Sequence, residues 1–280
     1  MSLLTVTKAT KTFGGVAALT NISLSVEAGE ILGIMGPNGS GKTTLFNLVS
    51  GALAPDTGEI FFQGERIDGL PPHRLCRRGL ARTFQLVRPF LGLTAEENVL
   101  IGLGYGKDRL TGSKARAKAG ELLSSVSLGG TANRLANTLN VMDRKRLELA
   151  RALATAPKLL LLDEFMAGLT PAETAAALNL LRQLQRDGLT VIMVEHIVWA
   201  LLDISHRIVV LSAGEKIADG APAKVAKDPR VIEVYLGETA TNSPPPLSSL
   251  ASRGKMKEGV SNNDEIMMQN IFDFADDLGP

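Results

Sequence analysis

One stretch of the sequence has the residue types and spacing of a phosphate-binding loop. Glycines, a lysine and a hydroxyl follow one another there as Gly36-Pro37-Asn38-Gly39-Ser40-Gly41-Lys42-Thr43, with Thr44 next. Glycine suits such a loop because backbone N–H groups must turn inward around a polyphosphate, and a Cβ would block that approach. Lys42 would neutralise the terminal phosphates, and the Thr43 hydroxyl would ligate Mg²⁺. The loop therefore predicts a bound nucleoside triphosphate with Mg²⁺.

Two carboxylates form a second candidate element of the same site. Asp163 and Glu164 follow the apolar run Leu159 to Leu162, which is typical of a parallel strand buried on both faces. α/β sheets gather their ligands at the carboxyl ends of such strands. We expect Asp163 to hold Mg²⁺ through water and Glu164 to orient the attacking water as a general base. Without the phosphate loop, the pair would more simply be the polar end of a strand.

The elements that must position these residues follow from the apolar pattern. A strand is expected before the loop, and a helix after it, since Leu45, Leu48, Val49 and Leu53 share one face. Helical patterns dominate from about Gln85 to Thr155 and include Gly112 to Val126 and Met142 to Leu153. Strands are predicted at Leu3 to Thr7, Ile22 to Val26, Glu30 to Met35, Glu59 to Phe62, Leu159 to Leu162, Thr190 to Val194 and Arg207 to Leu211.

This alternation predicts an α/β domain over residues 1–237, with a helical subdomain at about 86–155 inserted in its core. Residues 238–280 are expected to be a flexible, disordered tail, because Asn242 to Ser249 is rich in Pro and Ser. A short acidic docking helix is the alternative, since apolar residues from Met267 to Leu278 recur at helical spacing.

Composition excludes several classes of protein. The chain of 280 residues is 45% hydrophobic and 21% charged, which is too apolar for wholesale disorder. A net charge of +1 is not the strong positive field of a dedicated nucleic-acid binder. Cys76 is the only cysteine and has no internal partner, no signal peptide is recognisable, and Glu195 and His196 interrupt the longest apolar stretch. We expect a cytoplasmic protein that reaches a membrane through partners.

The order of these motifs resembles that of an ABC-type ATPase over about Leu3 to Gly237. The resemblance rests on the phosphate loop, ARTFQ ending at Gln85, LLLLDE and MVEH ending at His196. It implies ATP as the nucleotide and a P-loop NTPase core of the ABC type. It also implies that Phe13 stacks on adenine, that Gln85 contacts Mg²⁺ and couples to a membrane partner, and that His196 senses the γ-phosphate. Phe13 has an alternative interpretation as an ordinary core residue.

One family motif departs from the usual pattern. The family's Ser-Gly-Gly-Gln loop, which completes the partner subunit's nucleotide site, corresponds here to Asn140-Val141-Met142-Asp143. Met142 stands where a glycine would let N–H groups approach phosphate, and its side chain is expected to fill that space. Asn140 would still donate a hydrogen bond in place of the serine. We expect an impaired loop, and Phe165, where proline is common, is a smaller departure.

The resemblance also implies partners. These ATPases resemble head-to-tail dimers in which each chain's loop completes the other's site. Because a homodimer would carry the impaired loop in both sites, a heterodimer with an intact second ATPase subunit is favoured. Two transmembrane permease subunits are implied, with a periplasmic binding protein acting indirectly and no nucleic acid. The expected location is the inner face of a bacterial cell membrane. Residues 81–102, ATAPKLLLLDEFMAGLTPAE and VIEVYLGE resemble branched-chain amino acid importer ATPases, and VYLGE also resembles the lipopolysaccharide export ATPase.

Three functions stay open beside an importer ATPase. They are a catalytically impaired, nucleotide-holding regulatory subunit, the ATPase of lipopolysaccharide export or another ABC system, and a soluble ABC protein acting on ribosomes or DNA. The last of these usually carries two cassettes or a long coiled coil, and the sequence shows neither. Two smaller features have structural interpretations: Thr170, Pro171 and Glu173 predict a helix capping box, and Arg74, Arg77, Arg78 and Arg82 predict a solvated helix face, with docking or lipid headgroups as the alternative.

Overall fold

The computed structural model describes residues 2–83 and 89–236 of the chain. Gln85 and the predicted tail, residues 238–280, lie outside the described residues. Within the described part, no helix is both long enough and apolar enough to cross a membrane.

A six-stranded sheet forms the centre of the molecule, in the order β10-β9-β3-β8-β7-β6. Neighbouring strands from β9 to β6 run parallel, and β10 closes the edge as an antiparallel strand. The strands are β3 (Ile31–Met35), β6 (Leu80–Arg82), β7 (Leu159–Asp163), β8 (Thr190–Val194), β9 (Arg207–Ser212) and β10 (Glu215–Gly220).

The parallel strands are buried on both faces, as their continuous apolar runs predict. In β7, Leu160 and Leu162 belong to one hydrophobic cluster, and Leu159 and Leu161 belong to the other. Every residue of β3, β7 and β8 is buried. The sheet thus separates two cores, and its carboxyl edge carries the polar residues that follow the strands.

A second sheet covers one face of the first and is antiparallel, in the order β2-β1-β4-β5. It comprises β1 (Ser2–Phe13), β2 (Val16–Glu27), β4 (Thr57–Phe62) and β5 (Glu65–Arg66). The strands β1 and β2 extend well beyond the predicted Leu3 to Thr7 and Ile22 to Val26. Their extra residues are largely polar or exposed, and so carry little of the apolar signal on which a strand prediction rests.

Nine α-helices complete the described part of the chain. They are α1 (Lys42–Val49), α2 (Pro72–Arg78), α3 (Ala95–Tyr105), α4 (Gly112–Ser125), α5 (Val141–Ala154), α6 (Pro171–Arg186), α7 (Val198–Ile204), α8 (Pro222–Val225) and α9 (Pro229–Leu236). Three of them, α3, α4 and α5, pack against one another and lie between β6 and β7 in the sequence. The prediction of an α/β core with a helical insertion is confirmed.

Helix α6 begins as its sequence predicts. Thr170 is the N-cap and accepts a hydrogen bond from the backbone N–H of Glu173, while the Glu173 carboxylate accepts from the backbone N–H of Thr170. Pro171 occupies the first turn, where its missing N–H costs nothing. This reciprocal box fixes the end of the segment that runs from Glu164 to the helix.

Candidate functional site

The phosphate-binding loop lies between β3 and α1 and is folded around its own lysine. Lys42 is 7% exposed, and its Nζ donates to the carbonyl oxygens of Gly36 at 2.6 Å and Pro37 at 2.9 Å. Burial lowers the pKa of Lys42, and the nearby negative charge of Glu164 opposes that shift. An ammonium already stripped of water in this way is prepared to exchange its carbonyl partners for phosphate oxygens.

Two glycines of the loop are required by space as well as by conformation. A Cβ at Gly36 would lie 2.1 Å from the carbonyl oxygen of Leu211, and one at Gly41 would lie 2.6 Å from that of Ala18. Both residues have positive φ, at 150° and 103° respectively, where side chains are strained. The glycine spacing in the sequence therefore reflects both close backbone approach and backbone shape.

An open cavity of about 180 Å³ lies against this loop and gathers most of the predicted site. Its lining comprises Ala18, Asn38, Gly39, Ser40, Gly41, Lys42, Thr43, Thr44, Glu164 and His196. The structure thus brings Glu164 and His196 to the loop residues that precede them by more than a hundred positions. Ala18, on β2, is a lining residue that sequence reasoning missed, because a single alanine carries no chemical signal.

Glu164 and His196 form a pair at the edge of this cavity. His196 Nε2 lies 2.8 Å from Glu164 Oε1, and since a carboxylate only accepts, the imidazole is the donor. Glu164 follows β7 directly and has a left-handed backbone, with φ of 50°. Its N–H donates to the carbonyl oxygen of Val194, which ties the turn after β7 to the end of β8. The arrangement can hold a general base next to an imidazole at the phosphate end of a nucleotide.

Asp163 makes a contact that the sequence did not predict. Its Oδ2 accepts from Arg82 Nη2 at 2.7 Å, and both side chains are about one-tenth exposed. Arg82 Nη1 also donates to Asn47 Oδ1 at 2.7 Å and to Ser50 Oγ at 3.0 Å. The expectation that Arg82 belongs to a solvated helix face is therefore wrong. Arg82 ends β6 and is partly buried, whereas Arg74, Arg77 and Arg78 are exposed on α2.

The donor set of the site fits a nucleotide with Mg²⁺. Thr43 and Asp163 line one common cavity, and they offer the hydroxyl and carboxylate oxygens that Mg²⁺ takes alongside substrate phosphates. Ser40 Oγ is buried and has no hydrogen-bond partner among the described residues, so the loop holds a polar atom left for a ligand. No group of three or more His, Cys, Asp or Glu residues could hold a metal in the described ranges. A metal ion at this site would therefore need phosphate oxygens of the nucleotide as additional ligands.

Phe13 lies at the end of β1, apart from the residues lining the phosphate cavity. Its side chain is 47% exposed, and Lys11 Nζ is 5.7 Å from its ring centroid. The alternative that Phe13 is an ordinary core residue is therefore wrong. Its predicted role against adenine stays a prediction.

The segment corresponding to the family's glycine loop is here the first turn of α5. Asn140 is the N-cap, and its Oδ1 accepts from the backbone N–H of Asp143 at 2.7 Å. Met142 is buried in the hydrophobic core, so the expectation that its side chain fills the space above the turn is wrong. Val141 is the exposed apolar residue at this turn, 61% accessible. The outward-facing side chain of this turn is therefore Val141 and not Met142, for which the sequence predicted that position.

A parallel sheet with a phosphate loop before its first helix, and a Glu–His pair facing that loop from the next strands, defines an ATP-binding cassette. A family model described as "ABC transporter" matches residues 19–167. A second, described as "Branched-chain amino acid ATP-binding cassette transporter", matches residues 215–241. The chain belongs to the ABC transporter family as an ATP-binding subunit, and it is an ABC-type ATPase that binds ATP.

Relatives of known name support this assignment. The high-affinity branched-chain amino acid transport ATP-binding protein BraF of Pseudomonas aeruginosa is 40% identical, over 84% of this chain and 98% of its own length. LivG of Escherichia coli, named for the same transport, is 38% identical over 81% of this chain and 94% of its own. The lipopolysaccharide export ATP-binding protein LptB of Haemophilus influenzae is also 38% identical, over 85% and 98%.

Solved structures show the same fold. The ADP conformation of MJ1267, an ATP-binding cassette of an ABC transporter, superposes with a TM-score of 0.78 at 34% identity, over 85% of this chain and all of that one. A dimeric post-hydrolysis state of the cassette MJ0796 with ADP and Pi gives 0.71 at 30% identity, over 78% and 98%.

Proposed function

We propose that this chain hydrolyses ATP to energise a bacterial importer of branched-chain amino acids, working peripherally on the inner face of the cell membrane. The observation that carries the hydrolytic part is the Glu164–His196 pair, 2.8 Å apart in the cavity of the phosphate loop. The amino acid part rests on the relatives BraF and LivG and on the match at residues 215–241.

Each site residue has a proposed role. Glu164 orients and deprotonates the attacking water, and His196 holds Glu164 and senses the γ-phosphate. Lys42 and the N–H groups of the loop from Gly36 to Thr44, except at Pro37, which has none, hold the phosphates, while Phe13 stacks on adenine. Thr43, Asp163 and Gln85 are proposed as the Mg²⁺ contacts. The metal would supply charge neutralisation at the phosphates, which is the chemistry this family of reactions requires.

A groove beside the catalytic residues is the proposed docking place for one of the two permease subunits. It has a volume of about 820 Å³, and Thr43, Arg82 and Asp163 line it together with residues of α2, α3 and α5. The exposed ring of Tyr105 lies at this groove. A permease segment there would touch the residues next to Asp163 directly. A periplasmic binding protein would act only through those permeases.

The dimer partner is proposed to be a second, different ATPase subunit. In the family's head-to-tail dimer, each chain's glycine loop completes the other chain's site. Exposed Val141 replaces a small, hydrogen-bonding surface at that turn, so we infer that this chain completes its partner's site poorly. A partner with an intact loop would still complete the site built on Lys42 and Glu164.

Reconstituted transport tests the proposal. Uptake of labelled leucine into proteoliposomes holding permeases, binding protein and both ATPase chains should stop with Glu164→Gln in this chain. Uptake that persists at the wild-type rate would leave only a regulatory, nucleotide-holding role. The similarity to LptB favours lipopolysaccharide export as the second candidate. If the assembled complex releases lipopolysaccharide with ATP and does not take up leucine, the proposed function changes from amino acid import to lipopolysaccharide export.

A further inference from the structure

Three polar contacts, two of them buried and one partly buried, converge on the three residues that follow Glu164. Lys145, on α5, donates from Nζ to the carbonyl oxygens of Phe165 at 2.7 Å and Ala167 at 2.6 Å. Glu195, directly after β8, accepts from the backbone N–H of Met166 at 2.8 Å. The peptide group between Phe165 and Met166 is thus held at both ends, its carbonyl by an ammonium and its N–H by a carboxylate, and the same ammonium holds the carbonyl of Ala167.

These two are the most buried charged side chains of the described residues. Lys145 is 5% exposed and Glu195 is 2% exposed, and the two attract each other electrostatically. Burying ionised groups costs desolvation free energy unless hydrogen bonds compensate. If these positions served packing alone, apolar residues would serve it at a lower free-energy cost. Because hydrogen bonds are directional and hydrophobic contacts are not, this arrangement fixes the backbone positions of residues 165–167 more tightly than apolar packing would.

The clamped residues determine where Glu164 points. Glu164 has φ of 50°, a conformation that costs a non-glycine residue free energy and persists when its surroundings fix it. Its carbonyl oxygen accepts from the N–H of Ala167, inside the clamped stretch. Glu195 also precedes His196, so one end of the clamp adjoins the residue that touches Glu164.

We propose that Lys145 and Glu195 are positioning residues that hold residues 165–167 and thereby keep the Glu164 carboxylate against His196. This inference rests on the proposed hydrolytic function. Because Lys145 lies on the first turns of α5, one rigid connection joins the turn at Val141 to Glu164. In a head-to-tail dimer, that connection links the turn facing one nucleotide to the general base acting on the other.

The test compares Lys145→Met with Lys145→Arg in the assembled complex, with Lys118→Met as the matched control. Lys118 is exposed and pairs with Glu121 on α4, in the same helical insertion. We expect Lys145→Met to lower kcat by about 10- to 100-fold with KM for ATP within about twofold, because small displacements of a catalytic group have effects of this size. Lys145→Arg should retain most of kcat, and Lys118→Met all of it.

A second measurement does not depend on turnover. Hydrogen exchange at the amides of Met166, Ala167 and Leu169 should accelerate in Lys145→Met, and the His196 imidazole NMR signal should shift. Wild-type kcat, or equal losses in the Met and Arg variants, would overturn the proposal, as would unchanged exchange and an unchanged His196 signal. If Lys145→Met does not fold, Lys145→Gln takes its place. If the wild-type complex has no ATPase activity, the proposed function is refuted. The exchange result then still shows whether Lys145 holds residues 165–167.

Discussion

Arg82 and Asp163 form a buried ion pair, 2.7 Å from Nη2 to Oδ2, between the last residues of the neighbouring strands β6 and β7. Removing one member of such a pair leaves the other charge buried and uncompensated, which costs about 3–5 kcal/mol. We predict that Arg82→Met lowers the free energy of unfolding by this amount in denaturant titrations. Adding Asp163→Asn to Arg82→Met should recover part of the loss.

The same variant should respond more strongly to a nucleotide with Mg²⁺. The metal would then supply the positive charge that Asp163 has lost, so Mg-ADP should raise Tm further in Arg82→Met than in wild type. Arg207→Met is the matched control, since Arg207 pairs with Glu30 and Asp219 outside both cavities. Equal Mg²⁺-dependent shifts in all three proteins would argue against a role for Asp163 at the metal.

The stability of the protein should depend on pH through Glu195. Burial raises the pKa of Glu195 to about 7, with Lys145 opposing the shift and the charges of Glu164 and Asp163 adding to it. Because the folded pKa lies above the unfolded value of 4.5, the protonated group stabilises the fold below about pH 4.5. That contribution is lost as pH rises through 7.

Glu195→Gln removes this titration while keeping an oxygen that accepts from Met166. The variant should gain stability relative to wild type between pH 5 and 8, by about 3 kcal/mol at most. Chemical denaturation across that range measures the difference. A stability difference that is constant with pH would show that Glu195 does not change its protonation in this window.

Helix α6 offers a prediction separate from the chemistry. Thr170→Ala removes the N-cap acceptor of Glu173 and should cost about 1 kcal/mol of stability. Thr170→Ser, which keeps the hydroxyl, should cost little. Thermal unfolding measures both, and identical Tm values for the three proteins would contradict the contribution of the capping box.

Strand prediction succeeded where the sequence carries a continuous apolar run, as in β7, or an apolar alternation, as in β1 and β4, and it failed where neither pattern is present. The run Leu159 to Leu162 is apolar throughout because β7 is covered on both faces, and this pattern is visible in the sequence. The strand β6 has only three residues and ends in Arg82, while β10 is an edge strand that includes Glu215, Lys216 and Asp219. The residues of β6 and β10 therefore show no apolar pattern that would distinguish either strand from a loop.

The site was predictable to the extent that its chemistry is local. The phosphate loop carries glycines, lysine and threonine within eight positions because one nucleotide must contact them all. Arg82 and Asp163 are 81 positions apart, and Lys145 and Phe165 are 20 apart on different elements. A buried charge in an apolar surrounding, such as Glu195 after VIMV, is the sequence signal that could have pointed to the clamp.

The purified chain by itself should bind ATP and turn it over slowly. Val141 at the first turn of α5 offers the second site of a homodimer a bulky, apolar surface, and losing one preorganised donor costs about 10²–10³ in rate. Adding an ATPase partner with an intact glycine loop should restore turnover in steady-state assays. Vigorous turnover by the chain alone, abolished by Lys42→Ala, would contradict the heterodimer.

We propose that Glu164, held by His196 against the phosphate loop, acts as the general base of ATP hydrolysis in this chain. Single-turnover hydrolysis of Mg-ATP by the assembled complex carrying Glu164→Gln tests this role, with ATP affinity measured in parallel. We expect a loss of about 10²–10⁴-fold in rate with affinity retained. A rate within a factor of two of the wild-type complex would contradict it.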